Sequence, residues 1–331
     1  MGIFCYNKSH TEEKDCFFGK AAGSPSEKGG LYCLHMYIIA HISCVIKGKI
    51  CERNGRYGMR DLFKTVFAKE KIEYFGVIPF SACTCRRPDV IERRGVSAEK
   101  IQTAIIFLIP YFVNDGEGNV SFYARSRDYH VYCEGLFSRI IPILEKQYGE
   151  RFLGFADKSP IRENLAASMA GLGVIGDNFM LINEKYGSFV FVAEILSVVP
   201  PETLGFSGGT PAPSFCSHCG ACRSACPMTK DGLECLSAVT QKKGLLTTEE
   251  EAYLKKYGYA WGCDICQLAC PMTKAALTSG VQTPIAFFHE DRIPLLTKKR
   301  LSDMDEEEFR RRAFSWRGRE PLLRNLDIFE K

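Results

Sequence analysis

Two stretches decide how this chain is read: Cys216-Ser-His-Cys219-Gly-Ala-Cys222-Arg-Ser-Ala-Cys226-Pro227 and Cys263-Asp-Ile-Cys266-Gln-Leu-Ala-Cys270-Pro271. A cubane cluster needs four thiolates converging on one face. Three closely spaced cysteines and a distant fourth supply them, and in this pattern the fourth serves the neighbouring cluster. The second stretch lacks one cysteine of the full run, and Cys235 is the nearby residue that completes the count. The expected sets are Cys216, Cys219, Cys222 and Cys270 around one [4Fe–4S] cluster, and Cys226, Cys235, Cys263 and Cys266 around a second. Zinc sites use paired rather than tripled cysteines, which argues against them here. Two linked clusters make an electron conduit, and a conduit implies a redox centre at its end.

The rest of the composition is ordinary. The chain has 331 residues, 46% hydrophobic and 25% charged, with a net charge of +4. That length suits about two domains, and so small a net charge sets up no overall field for nucleic acid. Of 16 cysteines, the eight outside the module are scattered. Residues 1–30 have neither a basic opening nor an apolar core, so no signal peptide is read. The apolar stretch 31–46 is broken by His35, His41 and Ser43 and is short for a membrane span. The expectation is a reduced, cytoplasmic protein with no membrane partner.

Residues 1–58 show no period of 3.6 or 2 and are expected to be a disordered or over-called extension. Gly55-Arg56 can be encoded as a purine-rich ribosome-binding sequence shortly before Met59. From Met59 the pattern sharpens. Leu62, Phe63, Val66 and Phe67 form a helical stripe, and a strand is expected over 74–80. Residues 103–113 and 188–199 read as buried strands. Residues 128–148 read as a helix that Pro142 should kink or restart. Ser159-Pro160 reads as an N-cap and first turn opening a helix that stops near Gly171. Strands and helices alternate, so residues 59–205 are expected to be a mixed α/β domain. Residues 206–290 would be the cluster domain and 291–331 a basic, aromatic tail on the core. A Gly-x-Gly-x-x-Gly run starts at Gly171, but it follows a helix and precedes a strand. A dinucleotide fingerprint needs the reverse order, so that reading is rejected. Gly173 and Gly176 are read instead as permitting close approach of the backbone to something bulky, or merely a tight turn.

The blocks Tyr123-Ala-Arg125-Ser-Arg-Asp128-Tyr129-His130, Asp157-Lys-Ser-Pro-Ile-Arg-Glu163, Ala170-Gly-Leu-Gly-Val-Ile-Gly176-Asp-Asn178, Tyr186-Gly-Ser-Phe189 with Glu194, and Tyr259-Ala-Trp-Gly-Cys263 stand in order before and within the module, and Arg324-Asn-Leu326 closes the chain. In these blocks the sequence resembles the epoxyqueuosine reductases, cobalamin-dependent iron–sulfur enzymes, from about Met59 to the C-terminus. The resemblance implies an α+β protein. A nitroreductase-like cobalamin-binding α/β domain would be followed by a two-cluster ferredoxin-like domain. It implies reduction of the epoxide of epoxyqueuosine in tRNA by cob(I)alamin, fed by both clusters from a donor such as flavodoxin or ferredoxin. Asp157 falls at the family's general acid, a role that requires burial to raise its pKa. Its position two residues before Ser159-Pro160 also fits a helix-start carboxylate. Tyr123, Arg125, Asp128, Tyr129, His130, Gly173, Gly176 and Asn178 are candidate cofactor contacts. The chain departs from the family at Lys158, usually Ser or Thr, and at Asp177, commonly Lys.

For a tRNA anticodon loop, the C-terminal stretch offers Lys298, Lys299, Arg300, Arg310, Arg311, Arg312, Arg317, Arg319 and Arg324, with Phe314 and Trp316 interleaved. Guanidinium and aromatic planes stack on unpaired bases. Asp303 and Asp305 to Glu308 beside them fit an ion-paired amphipathic helix equally well. The alternatives to an epoxyqueuosine reductase are another corrinoid reductase of a small molecule, or a non-catalytic electron carrier.

Overall fold

The two long apolar runs become the two central strands. The computed structural model describes residues 59–206, 208–209, 211–228 and 235–329, so expectations for residues 1–58 lie outside the described residues. In chain order the first elements are α1 (Met59–Lys69), β1 (Phe75–Pro79), α2 (Pro88–Glu92), β2 (Thr103–Pro110), α3 (Tyr129–Tyr148), β3 (Phe152–Ala156), α4 (Glu163–Met169), β4 (Val174–Ile175), β5 (Leu181–Ile182) and β6 (Val190–Ser197). Short helices follow: α5 (Ala221–Ala225), α6 (Leu236–Gln241), α7 (Thr248–Tyr257), α8 (Ile265–Ala269), α9 (Pro271–Thr278), α10 (Lys298–Asp303), α11 (Glu306–Arg310) and α12 (Glu320–Phe329).

One antiparallel sheet runs β1-β2-β6-β3. Every residue of β2 is buried because helices cover both faces, which explains its unbroken apolar sequence. Ile105, Phe107 and Ile195 pack on one face with Phe63 and Phe67 of α1 and Leu136 and Ile140 of α3. Ile106, Phe155 and Leu196 pack on the other with Ile91 of α2 and Ala166 of α4. A second, two-stranded sheet pairs β4 with β5. Among the described residues, no helix is long and apolar enough to cross a membrane.

Three local expectations are corrected. Pro142 neither ends nor restarts α3, which runs 20 residues from its Asp128 N-cap to Gly149. Pro142 lies on the exposed side, where water can take the carbonyl its missing N–H leaves free. Ser159 does not cap a helix. The cap residue of α4 is Arg162, and the Ser159 hydroxyl turns inward to Glu194. Residues 160–162 stay extended, held by Arg86 N–H on the Pro160 carbonyl and Arg162 N–H on that of Thr84. Gly171 at φ +75° does close α4. A Cβ on Gly173 would stand 2.5 Å from the Ile182 carbonyl oxygen, so the close approach there is to the chain's own β4–β5 hairpin.

The C-terminal segment packs back on the body. Phe314, Leu322 and Leu326 share a core with Val120, Ala124 and Trp261. Its basic residues are largely consumed in doing so. Arg300 and the buried Arg312 both bind Glu308, and Arg310 binds Glu306. Arg319 caps the Leu301 and Met304 carbonyls, and Arg324 caps those of Lys242, Gly244 and Val239. Arg300, Arg310 and Arg312 are thus ion-paired with acids of the same segment, and Arg319 and Arg324 are held by backbone carbonyls. Phe314 is fully buried, whereas Trp316 is 59% exposed, with Arg317 stacked 3.9 Å from its ring centre.

Candidate functional site

β3 ends at an unusual residue. Asp157 has φ +62°, and Lys158 N–H donates back to the Ala156 carbonyl at 2.7 Å. A tight turn with a non-glycine centre in this region is strained, and such strain concentrates at functional sites. The Asp157 side chain is 58% exposed and caps no helix, which removes the helix-start reading. It stands in an open cleft of about 1120 Å³ lined by Tyr123, Asp128, Tyr129, His130 and Lys158 among others. The burial expected of a general acid is absent here.

The start of α3 supplies the opposite wall. The Asp128 carboxylate accepts the His130 backbone N–H at 3.0 Å and faces its Nδ1 at 2.8 Å. Nε2 of His130 lies 3.6 Å from the Asp157 carboxylate and is buried without a hydrogen-bond partner among the described residues. The imidazole is pushed up to about 9, first by its bond to Asp128 and then by Asp157. Burial alone would raise the Asp128 carboxyl, but the bonds from His130 outweigh it and hold it low. His130 therefore carries a proton at neutral pH. Its ring stacks on Tyr129 at 4.2 Å, and Tyr129 stacks on Phe191 at 4.0 Å. Exposed Lys158 also acts on Asp128, helping to keep it charged.

Arg125 is not on this cleft. Only 2% exposed, it binds Asp115 and the Val120 and Gly116 carbonyls and lies 3.8 Å over Phe122. Arg87, Arg93 and Arg94, which sequence reasoning left unassigned, line the cleft instead.

None of the eight module cysteines is in a disulfide. Helices α5 and α8 each end in a cysteine of nearly identical conformation, φ −69° and ψ 120° at Cys226 and φ −67° and ψ 125° at Cys270. The thiols act on one another in groups. Cys263 feels Cys235 and Cys266; Cys266 feels Cys235, Cys226 and Cys222; Cys222 feels Cys270. Burial first, and the neighbouring thiols next, push Cys266 up to about 11; burial, then Asp264 and the thiols, push Cys263 higher still. The Asn178 amide faces the Cys266 sulfur, and its Nδ2 has no other partner among the described residues. Cys219 and Cys235 are exposed.

The module is joined to the cleft. The Asp264 carboxylate accepts the Ser121 hydroxyl at 2.6 Å, the Phe122 N–H at 2.9 Å and the Gln267 amide at 3.1 Å. Trp261 Nε1 donates to the Tyr123 hydroxyl at 2.8 Å. At the far end, Asp177 pairs with His218 at 2.7 Å and Arg223 at 3.9 Å. The acid that departs from the family's usual lysine thus meets two basic side chains of the cysteine loop. Sequence reasoning missed Asp177–His218 and gave Glu194 no role. A glutamate inside a run as apolar as 189–199 was the available signal.

No family model matches the chain. An epoxyqueuosine reductase of Gloeobacter violaceus is 33% identical over 205 residues, 59% of this chain and 63% of that protein. One of Lactococcus garvieae is 30% identical over 222 residues, 63% of this chain and 60% of that protein. The chain covers less than two thirds of the length of these relatives. The structure of epoxyqueuosine reductase from Streptococcus thermophilus superposes with a TM-score of 0.64 at 22% identity, over 82% of this chain and 80% of that one. An epoxyqueuosine reductase crystallised with an epoxyqueuosine-modified tRNA-Tyr stem loop gives 0.64 at 22% identity, over 82% and 81%. The chain is similar to epoxyqueuosine reductases and shares their fold.

Proposed function

We propose that this chain reduces the epoxide of epoxyqueuosine in a tRNA anticodon loop, using two [4Fe–4S] clusters and a cobalamin. The observation that carries the reading is the junction itself: the eight-cysteine module is fastened, through Asp264 and Trp261, to the segment that forms the cleft of Asp157 and His130. In this reading residues 59–205 are the nitroreductase-like domain, 206–290 the ferredoxin-like domain and 291–331 the tail. The protein acts in the cytoplasm and takes electrons from a small donor such as flavodoxin or ferredoxin.

The residues fit the groups proposed. Grouped thiols whose burial and mutual repulsion resist ionisation become good ligands only when metal supplies positive charge. In this reading Cys216, Cys219, Cys222 and Cys270 hold one cluster and Cys226, Cys235, Cys263 and Cys266 the other; the Cys222–Cys270 and Cys235–Cys263–Cys266 interactions support it, and Cys266 also feels Cys222 across the two. The buried Asn178 N–H facing Cys266 suits a thiolate sulfur. The cleft, at about 1120 Å³, exceeds the roughly 300–1,000 Å³ of common small-molecule sites. Tyr123, Asp128, Tyr129 and His130 would border the corrin. Cobalamin, when bound, supplies a strongly reducing, nucleophilic cobalt.

The chain's part is the proton. An epoxide oxygen leaves poorly as an alkoxide, so a donor must stand beside it. Exposed Asp157 reaches into the cleft, and His130 holds a proton 3.6 Å from it at neutral pH. The proton held by His130, which Asp128 anchors, passes by way of the Asp157 carboxyl to the leaving oxygen. Arg87, Arg93, Arg94 and Lys158 place positive charge at the same cleft for phosphates.

Anaerobic reconstitution with iron, sulfide and cobalamin tests this reading. Roughly eight irons per chain, one bound cobalamin and conversion of an epoxyqueuosine-bearing anticodon stem loop are expected. Zinc with negligible iron would refute the redox reading. Full cofactor loading without conversion would leave a corrinoid reductase of some smaller molecule.

A further inference from the structure

Glu194 lies in the centre of β6, opposite Ile106 of β2 and Phe155 of β3, and is fully buried. Its Oε1 accepts the Ser159 hydroxyl. Its Oε2 meets no N–H or O–H donor among the described residues. What it faces is the carboxyl of Glu163, the first residue of α4. Two carboxylates repel, and they bond only when a proton lies between them.

The remaining titratable neighbours sort to two sides. Asp157 and His130 act on Glu163; Tyr129 stands nearby and feels both Asp157 and Glu163. On the sheet side, Cys83 feels Glu194, and no cation is among the groups acting on Glu194. Burial first, and Glu163 next, lift the Glu194 carboxyl well above its usual range. Burial lifts Glu163 to about 7, with the Asp157 N–H opposing it. The geometry favours Glu194 as the holder of the shared proton, since it is fully buried, its Oε2 meets no donor among the described residues, and Glu163 accepts the Asp157 N–H.

The pair grips one turn twice. Glu163 Oε1 accepts the Asp157 N–H at 3.0 Å, and Glu194 accepts the Ser159 hydroxyl. Between these holds sits Asp157 at φ +62°, a conformation that persists only where its surroundings over-determine it. We propose that Glu163 and Glu194 are positioning residues, a proton-sharing carboxyl pair that clamps the 157–159 turn and sets where the Asp157 carboxyl stands in the cleft. Their effect on turnover rests on the epoxide-reducing reading; the clamp itself is measurable without substrate.

Two measurements on the full chain test it. Infrared spectra at about pH 8, where a free glutamate is ionised, should show a protonated-carboxyl absorption that Glu194→Gln removes. That variant keeps a neutral side chain of the same shape, so the protein still folds. Hydrogen exchange at the Asp157 amide should accelerate roughly fivefold or more in Glu163→Ala, the equivalent of one lost hydrogen bond. Glu163→Gln, whose amide oxygen still accepts the N–H, should restore most of the protection. With substrate, Glu163→Ala should lower kcat and leave KM nearly unchanged. No band sensitive to Glu194→Gln, or unaltered exchange in folded Glu163→Ala, overturns the clamp. If both physical signatures appear while the wild type leaves epoxyqueuosine untouched, the clamp stands and the substrate reading falls.

Discussion

Asp157 combines an exposed carboxyl with a backbone that few side chains tolerate, and the two properties can be separated. Asparagine accepts a left-handed conformation about as well as aspartate does. Asp157→Asn should therefore leave the urea midpoint equivalent to within about 0.5 kcal/mol, while turnover falls by roughly 10²–10⁴ if the carboxyl handles the proton. A large loss of stability instead would mean that the residue serves the fold. His130 gives a second prediction, with a definite sign. Its pKa is raised from 6.5 to about 9 in the folded protein, so the stability it contributes is complete below about 6.5. That contribution is lost as pH climbs through about 9. Unfolding midpoints of wild type and His130→Gln should differ most near pH 6 and converge near pH 10; a gap unchanged at pH 10 would clear the Asp128 and Asp157 pairings of responsibility. The motif blocks named Asp157 and His130, but they could not reveal which of them holds the proton. That depends on how far β3 projects from the sheet, a tertiary quantity. The same limit hid the Glu163–Glu194 contact, which joins residues 31 apart through the fold rather than through any local pattern.

At the scale of the element, apolar runs were legible and caps were less so. Strands β2 and β6 follow from unbroken hydrophobic sequence, and the face of α3 from its period. The helix after Ser159 starts three residues later than its N-cap signal implies, with Arg162 in place of Ser159 as the cap. A buried carboxyl in β6 claims the serine hydroxyl more strongly than a solvent-facing helix start can. The C-terminal arginines show the converse problem, since a basic cluster in sequence does not say what the cations meet. Arg324 donates to three carbonyls around the end of α6, and burial lowers its pKa first and foremost. Charged hydrogen bonds of this kind contribute on the order of 1.5–3 kcal/mol each when a partner is removed. Arg324→Ala should therefore cost about 2 kcal/mol in urea unfolding and leave stem-loop affinity and its salt dependence nearly unchanged. A reduced salt slope with undiminished stability would return Arg324 to the phosphate-binding surface.

For the whole molecule, the informative question is how two chemically distinct halves are held in register. Cys263 and Cys266 flank Asp264, whose carboxylate is tied to Ser121 and Phe122, while Cys219 of the other set is exposed. In the proposed reading, the thiol set that holds Cys263 and Cys266 is the one fastened beside Tyr123. The contact is closest at Gly262, where φ is +72° and an added Cβ would lie 2.4 Å from Ser121 Cβ and 3.0 Å from Tyr123 Cε1. Gly262→Ala cannot be absorbed by a flexible side-chain tip. The loop before Cys263 has to move away from the 120–123 segment, and strain of this kind costs roughly 1–3 kcal/mol. Because all eight cysteines remain, the variant should reconstitute to the wild-type iron content. Displacement at the junction should slow reduction of bound cobalamin by tenfold or more, in keeping with the roughly 10²-fold penalty that ångström-scale misplacement exacts from reacting groups. Iron content and stopped-flow cobalamin reduction, measured on one preparation, separate the possibilities. Lost iron would make Gly262 a requirement of the cluster fold, and undiminished reduction would show that electrons reach the cleft by a path other than this junction.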